Sequence, residues 1–481
     1  MATSDFSFKK GYTLKSGDLL LFFFKDEQEA IFSKEQVPDF LGEITPPKEE
    51  GKSKIVSAST FNSKYYICKS IRLDDKNLPP QQMLKKNLSS AISFCKDEGL
   101  DRIVVFISKE NKSFLPVCLE GTLLGGYKFD KYLEKKWEPA PVFCSLDFSP
   151  TSKDKSILKQ KEEIFSWVNF ARDILNEPPN EIHPQSLSEI FKQMGKKAGL
   201  KITIWDEKRL QKEGCGGILA VGSGASSRPH LVIGEYKPRK AKAKIALVGK
   251  GVTMDTGGYC LKPANSQIGM KYDMGGAAMT FAAACALASL KVPYHVIVFT
   301  PLVENDISST AFHTQDIIKM RNGKTVQVDN TDAEGRLILA DALCLACEKK
   351  PDYLIDAATL TGACVVALGE DIAGVFGTDE DLCKSIIECG KAVDEYLWHL
   401  PLHMPYMEQL KAEIADMKNI GTRWGGAITA ALFLKNFVDE NIPWVHIDIA
   451  GPSVKEEPLG FLGKGAKGFG VKTIVELIER L

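Results

Sequence analysis

The stretch Lys244-Ile245-Ala246-Leu247-Val248-Gly249-Lys250-Gly251-Val252-Thr253-Met254-Asp255-Thr256-Gly257-Gly258 changes character halfway along. Residues 244–248 have the composition of a buried strand. They run straight into glycines that carry a lysine and an aspartate five residues apart, so these charges fall at the strand's carboxyl end. The surroundings repeat the pattern. Residues 294–300, 353–356 and 444–449 read as further strands, and 275–290, 336–348, 379–396 and 427–438 as helices. Near-continuous apolar strands alternating with helices predict an α/β fold: a central, mostly parallel sheet flanked by helices. On such sheets ligands bind beyond the carboxyl ends of the strands.

Working outward, the first 150 residues are less regular. Residues 18–24 and 102–108 read as strands, 80–98 as a helix, and 46–54, which opens on two prolines, as a loop. This is a smaller N-terminal α/β domain without a catalytic constellation. Polar residues 149–155 suit a linker, a helix is expected over 155–174, and Asn176-Glu177-Pro178-Pro179-Asn180 is a turn no helix continues through. The expected organisation is an N-terminal domain over 1–150, a linker helix over 151–175 and a larger catalytic domain over 176–481.

The charged residues of the larger part gather at strand ends. Lys262 and Asp273 follow Asp255, with Asp273 just ahead of Met274-Gly275-Gly276, and residues 326–328 lead into Asp329-Asn330-Thr331-Asp332-Ala333-Glu334-Gly335-Arg336. Carboxylates crowded into one site repel each other and are costly to desolvate together, and a divalent cation removes that cost. Asp255, Asp273, Asp332 and Glu334 are enough oxygen donors for two metals about 3.5–4 Å apart, a pair that generates hydroxide at neutral pH and polarises the bond to be broken. Oxygen ligation suits Mg²⁺ or Mn²⁺, and Zn²⁺ tolerates it. A His-based zinc site is not expected, because no HExxH is present and the seven histidines are scattered. Gly249-Lys250-Gly251 fails the phosphate-loop pattern, which needs Ser or Thr after the lysine. The Asn330–Asp341 stretch fails the calcium-loop pattern, which needs a preceding helix and a final Glu.

Bulk composition narrows the function classes. Lys and Arg total 61 against 62 Asp and Glu, a formal charge of −1, which gives no reason to expect nucleic acid or an anionic membrane as partner. The N-terminal residues are polar, without a signal core. The apolar run 275–290 is shorter than the roughly 20 residues that span a bilayer and reads as a closely packed buried helix. A cytoplasmic protein is expected. The twelve cysteines are scattered through apolar runs and read as free buried thiols, the Cys344/Cys347 pair included.

Taken together these motifs resemble the leucyl aminopeptidase family. The run from Asn330 to Leu337 matches its signature throughout. The runs 249–258, 261–263, 273–278, 176–180, 356–363 and 444–451 match in order and spacing. The likeness covers roughly residues 160–481, and the N-terminal part resembles the family only loosely. The resemblance implies a metal-dependent aminopeptidase that releases N-terminal residues, with Leu or Met preferred, from short peptides with a free N-terminus, through a hydroxide bridging two metals. It implies that Lys250, as a neutral amine, with Asp255, Asp273 and Glu334 holds the tighter metal. Asp255, Asp332 and Glu334 hold the exchangeable one. Lys262 then stabilises the oxyanion, and Arg336 anchors a bicarbonate that acts as general base. Met270, Thr359, Gly362 and Ala450 map to the pocket for the first residue. The implied cofactors are two divalent ions per subunit, Mn²⁺ or Zn²⁺, with Mg²⁺ or Co²⁺ as alternatives, and the implied assembly is a homohexamer. Two positions depart from the family pattern, Met254 for Phe and Cys260 for a small residue, and neither removes a ligand. The rival readings are a dipeptidase of narrow range at the same site and a non-catalytic protein on the same fold. The second should have damaged ligands, and all seven key positions are intact.

Overall fold

The computed structural model describes residues 5–455 and 461–481; the polar N-terminal stretch 1–4 lies outside the described residues. The chain forms two compact units, one built on residues up to Asn169 with a short return ending at Lys464, the other on Phe170–Lys455 and Gly465–Leu481. The helix Ser152–Asn176 carries the chain from one to the other and covers the helix expected over 155–174.

In the first unit six strands form a sheet in the order Phe6–Lys10, Val142–Leu146, Arg102–Ile107, Asp18–Phe24, Lys64–Arg72, Ser53–Phe61. All pairs are parallel except the hairpin at the Ser53–Phe61 edge. The central Asp18–Phe24 strand is buried along its whole length, and Leu20, Phe22 and Phe24 pack with Val104 and Phe106 of its neighbour. The helix Pro80–Asp97 begins with proline, whose fixed φ suits the first helical turn.

The second unit is built on a nine-stranded sheet. Eight strands follow one path: Tyr396–His399, Ile372–Gly377, Trp444–Asp448, Tyr353–Ala358, Lys244–Gly249, His295–Asn305, His230–Tyr236, Lys201–Trp205. The four central strands are mutually parallel, and antiparallel pairing enters only toward the two edges. The helix Gly275–Ser289 is buried on nearly every side, which accounts for its Gly- and Ala-rich sequence. Among the described residues no helix is long and apolar enough to cross a membrane.

Three boundaries differ from the sequence expectation. The strand expected to stop at 300 continues through Pro301 to Asn305. Its second half pairs not with Lys244–Gly249 but with a separate strand, Gly251–Asp255, in the segment expected to be loop. The helix expected over 379–396 ends at Ala392, because Asp394 adopts a left-handed φ of 59° and Tyr396 opens an edge strand. The helix expected to reach 438 ends at Lys435.

Candidate metal centre

The ninth strand explains the first feature of the site. Lys244–Gly249 and Gly251–Asp255 are one strand interrupted at Lys250. There the backbone leaves the ladder on one side: Lys250 N–H still donates to the carbonyl of Ala357 on the neighbouring strand (3.0 Å), but its own carbonyl accepts from Ala277 N–H of the next helix (2.8 Å). The Lys250 side chain passes between two helix N-termini whose first turns carry glycine. A Cβ on Gly276 would lie 2.0 Å from the Ala357 oxygen, and one on Gly335 would lie 2.4 Å from Lys250 Cε. At Gly276 it is the backbone of the neighbouring strand that leaves no room for a side chain, and at Gly335 it is the Lys250 side chain itself, which a larger residue would have to push aside.

The Lys250 ammonium lies 2.7 Å from Asp273 Oδ2 and 2.9 Å from Glu334 Oε1, and donates to the Thr359 carbonyl at 3.0 Å. Asp273 stands two residues before the helix Gly275–Ser289, and Glu334 is the residue before the helix Gly335–Glu348. Both carboxylates thus sit where a helix N-terminus favours negative charge. Asp273 Oδ1 also accepts from Thr359 Oγ1 at 2.7 Å. Asp255 ends the interrupted strand. Its Oδ1 accepts from Gly257 N–H (2.8 Å) and Asn305 Nδ2 (2.8 Å), and its Oδ2 lies 2.8 Å from Lys262 Nζ. Lys262 reaches on to Asp332, the least buried acid of the group. One oxygen each of Asp255, Asp273 and Glu334 lies within 4.8 Å of the other two. The structure therefore brings together Lys250, Asp255, Lys262, Asp273, Asp332 and Glu334, from four separate segments.

The electrostatics are those of an excess of buried acid. Burial pushes the pKa of Asp273 and of Glu334 up, with Asp255 adding repulsion and Lys250 opposing. Asp332 is likewise raised, first by burial. Burial works against both ammoniums, yet Asp273, Glu334 and Asp255 raise Lys250 above the ordinary lysine value, and Asp255 and Asp332 do the same for Lys262. Four carboxylates face two ammoniums. Asp273 Oδ2 and Glu334 Oε1, though close to Lys250, take no properly directed hydrogen bond. Buried carboxylate oxygens without donors are what a hard divalent cation would satisfy, so the donor set fits such an ion.

Arg336, one residue into the same helix, is buried and stands off the acid cluster. Its Nη1 donates to the Asn419 carbonyl at 2.8 Å, its Nε has no partner, and burial lowers its pKa to about 10 against the opposing pull of Glu334 and Asp448. Of the four expected pocket residues, Thr359 touches the cluster directly through Lys250 and Asp273. Ala450 N–H donates to Asp448 (3.1 Å), which also accepts from Leu360 N–H (3.2 Å) and Thr361 Oγ1 (2.7 Å), the two residues just before Gly362. Met270 is half-buried in the short turn before Asp273, whose N–H meets its carbonyl.

Sequence reasoning missed Asn305, Asn419 and Asp448. Asn305 closes an eleven-residue buried strand with a polar side chain, the same signal that singled out Asp255. Asn419 has no such signal. It is fully buried beside the acidic loop, where Oδ1 accepts from Asp329 N–H (2.9 Å) and Asn330 N–H (3.2 Å), and Nδ2 donates to the carbonyls of Asn330 (2.7 Å) and Ala333 (3.3 Å).

The catalytic-domain model of the cytosol aminopeptidase family matches residues 169–475. A probable cytosol aminopeptidase of Persephonella marina is 44% identical over 375 residues, covering 77% of this chain and 76% of that one. The chain belongs to the cytosol aminopeptidase family. A second member of that family, the probable cytosol aminopeptidase of Sulfurihydrogenibium sp., is 39% identical over 435 residues and spans 89% of this chain and 86% of its own. Among solved structures a tomato leucine aminopeptidase mutant superposes with a TM-score of 0.86 at 29% identity, over 99% of this chain and 97% of that one. The bottromycin maturation enzyme BotP in complex with Mn superposes with a TM-score of 0.84 at 27% identity, over 97% and 99%. As a member of the cytosol aminopeptidase family the protein is a hydrolase, a divalent-metal-dependent aminopeptidase on a two-unit α/β fold.

Proposed function

We propose that the protein releases N-terminal residues, leucine and methionine above others, from short peptides, and that the buried acid cluster holds its two metal ions. The observation that carries this reading is the convergence of three buried carboxylates and Lys250 on one point, with two carboxylate oxygens left without hydrogen-bond donors. Lys250, Asp255, Asp273 and Glu334 form the tighter site. Asp255, Glu334 and the more exposed Asp332 form the exchangeable one. Mn²⁺ or Zn²⁺, with Mg²⁺ or Co²⁺ as substitutes, supplies the activated water and the anchor for the substrate's free α-amine. The carboxylates alone keep Lys250 protonated, so its service as a neutral amine depends on the added cationic charge.

Lys262 stays charged beside Asp255 and Asp332 and donates to the oxyanion as the peptide carbonyl is attacked. Arg336 has its Nη1 held by Asn419 and its Nε free, which leaves an edge of the guanidinium for a planar anion such as bicarbonate, the proposed general base. Met270, Thr359, Gly362 and Ala450 line the pocket for the first side chain. A homohexamer in the cytoplasm completes the proposal. Exposed apolar side chains at Ile268, Val366 and Trp424 offer surface for contact between subunits.

The test is hydrolysis of a leucine anilide by chelated, Mn²⁺-reloaded and Zn²⁺-reloaded protein, beside an N-acetylated substrate. The expected result is activity that requires both metal and free amine. Turnover of the acetylated substrate, or metal-independent turnover, would overturn the reading.

A further inference from the structure

Asp255 stands between the two halves of the acid cluster, so its orientation decides what both halves present. The terminal torsion of an aspartate is broad and two-fold, and burial alone does not fix it. Here Oδ1 is fixed by two donors, Gly257 N–H and Asn305 Nδ2, each at 2.8 Å. The second hydrogen of the Asn305 amide goes to the Thr331 carbonyl at 3.0 Å, the residue before Asp332. Both neighbours can only accept, so the nitrogen of the amide must face them. The Asn305 oxygen, although buried, has no partner. A buried amide with one atom unsatisfied is costly to keep, which points to its N–H groups as the part that matters.

We propose that Asn305 is a positioning residue of the metal centre: it ties Asp255 Oδ1 to the acidic loop and so leaves Oδ2 as the oxygen offered to the cation. This rests on the reading that the acid cluster is the metal site. The fold around Asn305 does not depend on its side chain. Its backbone carbonyl accepts from Thr256 N–H (3.1 Å) and Thr256 Oγ1 (2.7 Å), and its register against Asp255 is set by strand pairing. Removing the amide should free the ligand without releasing the strand end.

The experiment titrates Mn²⁺ calorimetrically into chelator-stripped wild type, Asn305→Leu and Asn305→Asp, with thermal melting of each metal-free protein alongside. Neither variant can present an amide N–H to Asp255. Without metal Asn305→Leu is expected to melt near the wild-type temperature and Asn305→Asp somewhat lower, because it sets another buried acid against Asp255; both are expected to bind Mn²⁺ about 10–100-fold more weakly, the range found when an outer-shell partner of a ligand is lost. The visible spectrum of the Co²⁺-loaded protein should also change, which a purely structural substitution at a distance would not cause. If the leucine variant does not fold, the near-isosteric aspartate variant decides. Wild-type affinity in a folded variant, or tighter binding in Asn305→Asp, overturns the proposal, as does loss of the metal-free fold in both. Wild type that binds no Mn²⁺ would instead overturn the metal reading itself.

Discussion

Lys250 and Lys262 carry the same charge into the same cluster, but their surroundings assign them different work. Lys250 is almost wholly buried and has every near neighbour committed, whereas Lys262 sits at the more open edge with Asp332. In Lys262→Ala the buried side chains of Lys250, Asp273 and Glu334 keep their contacts with one another. The variant should retain its metal content while kcat falls by about 10²–10³-fold, the usual loss for one oxyanion donor. Metal analysis and steady-state kinetics on one preparation check this, and parallel loss of both would make Lys262 structural. Glu334→Ala should behave differently. It removes a carboxylate that faces Lys250 in the buried cluster, so metal binding and activity should disappear together. Near-normal turnover after metal reloading would undo the assignment.

At the scale of elements, the site depends on how closely two helix starts approach the broken strand. Gly335 and Gly362 are both first residues of helices, yet they differ in what a methyl group would meet. At Gly335 it meets Lys250 at 2.4 Å, and at Gly362 there is nothing within 4 Å. Gly335→Ala should therefore destabilise by about 1–3 kcal/mol through overpacking and should displace Lys250. Gly362→Ala should leave stability unchanged or slightly raised, because alanine is the better helix former. Urea melts of the two variants side by side decide the matter, and equal midpoints would contradict the packing argument. The same elements show what the sequence makes legible. A core strand that ends in charge is visible without coordinates, and Lys250, Asp255, Asp332 and Glu334 were found that way. The break at Lys250 was not, because glycines on both sides read as loop while the pairing partner that keeps 251–255 in the sheet lies some fifty residues on. Asn419 was illegible for a related reason: it meets the acidic loop from 86–90 residues away in the chain, and a single asparagine between loops has no local periodicity to betray it.

For the whole molecule, a metal held at the proposed site should make stability depend on metal and on pH together. Crowding buried acids is a cost that the metal-free protein reduces by holding protons: Asp273 is pushed up to about 6 and Glu334 to about 8, both first through burial. A cation binds the deprotonated carboxylates, so binding must release protons. The sign follows directly. Above about pH 8 the acids are already ionised, and the proton left for the cation to displace is that of Lys250. As pH falls from 8 toward 6, protons compete with the cation and affinity drops. A ligand held only by the folded state stabilises it by RT ln(1 + [L]/Kd), about 2.7 kcal/mol at a hundredfold excess over Kd. For units larger than about 150 residues each kcal/mol moves Tm by roughly 2–4 °C. Saturating Mn²⁺ should thus raise the melting temperature by several degrees at alkaline pH, and the rise should shrink steadily on acidification at fixed free metal. Differential scanning calorimetry with and without Mn²⁺ across this range measures it. A metal-induced shift that stays constant with pH would mean that the ion binds away from the buried carboxylates.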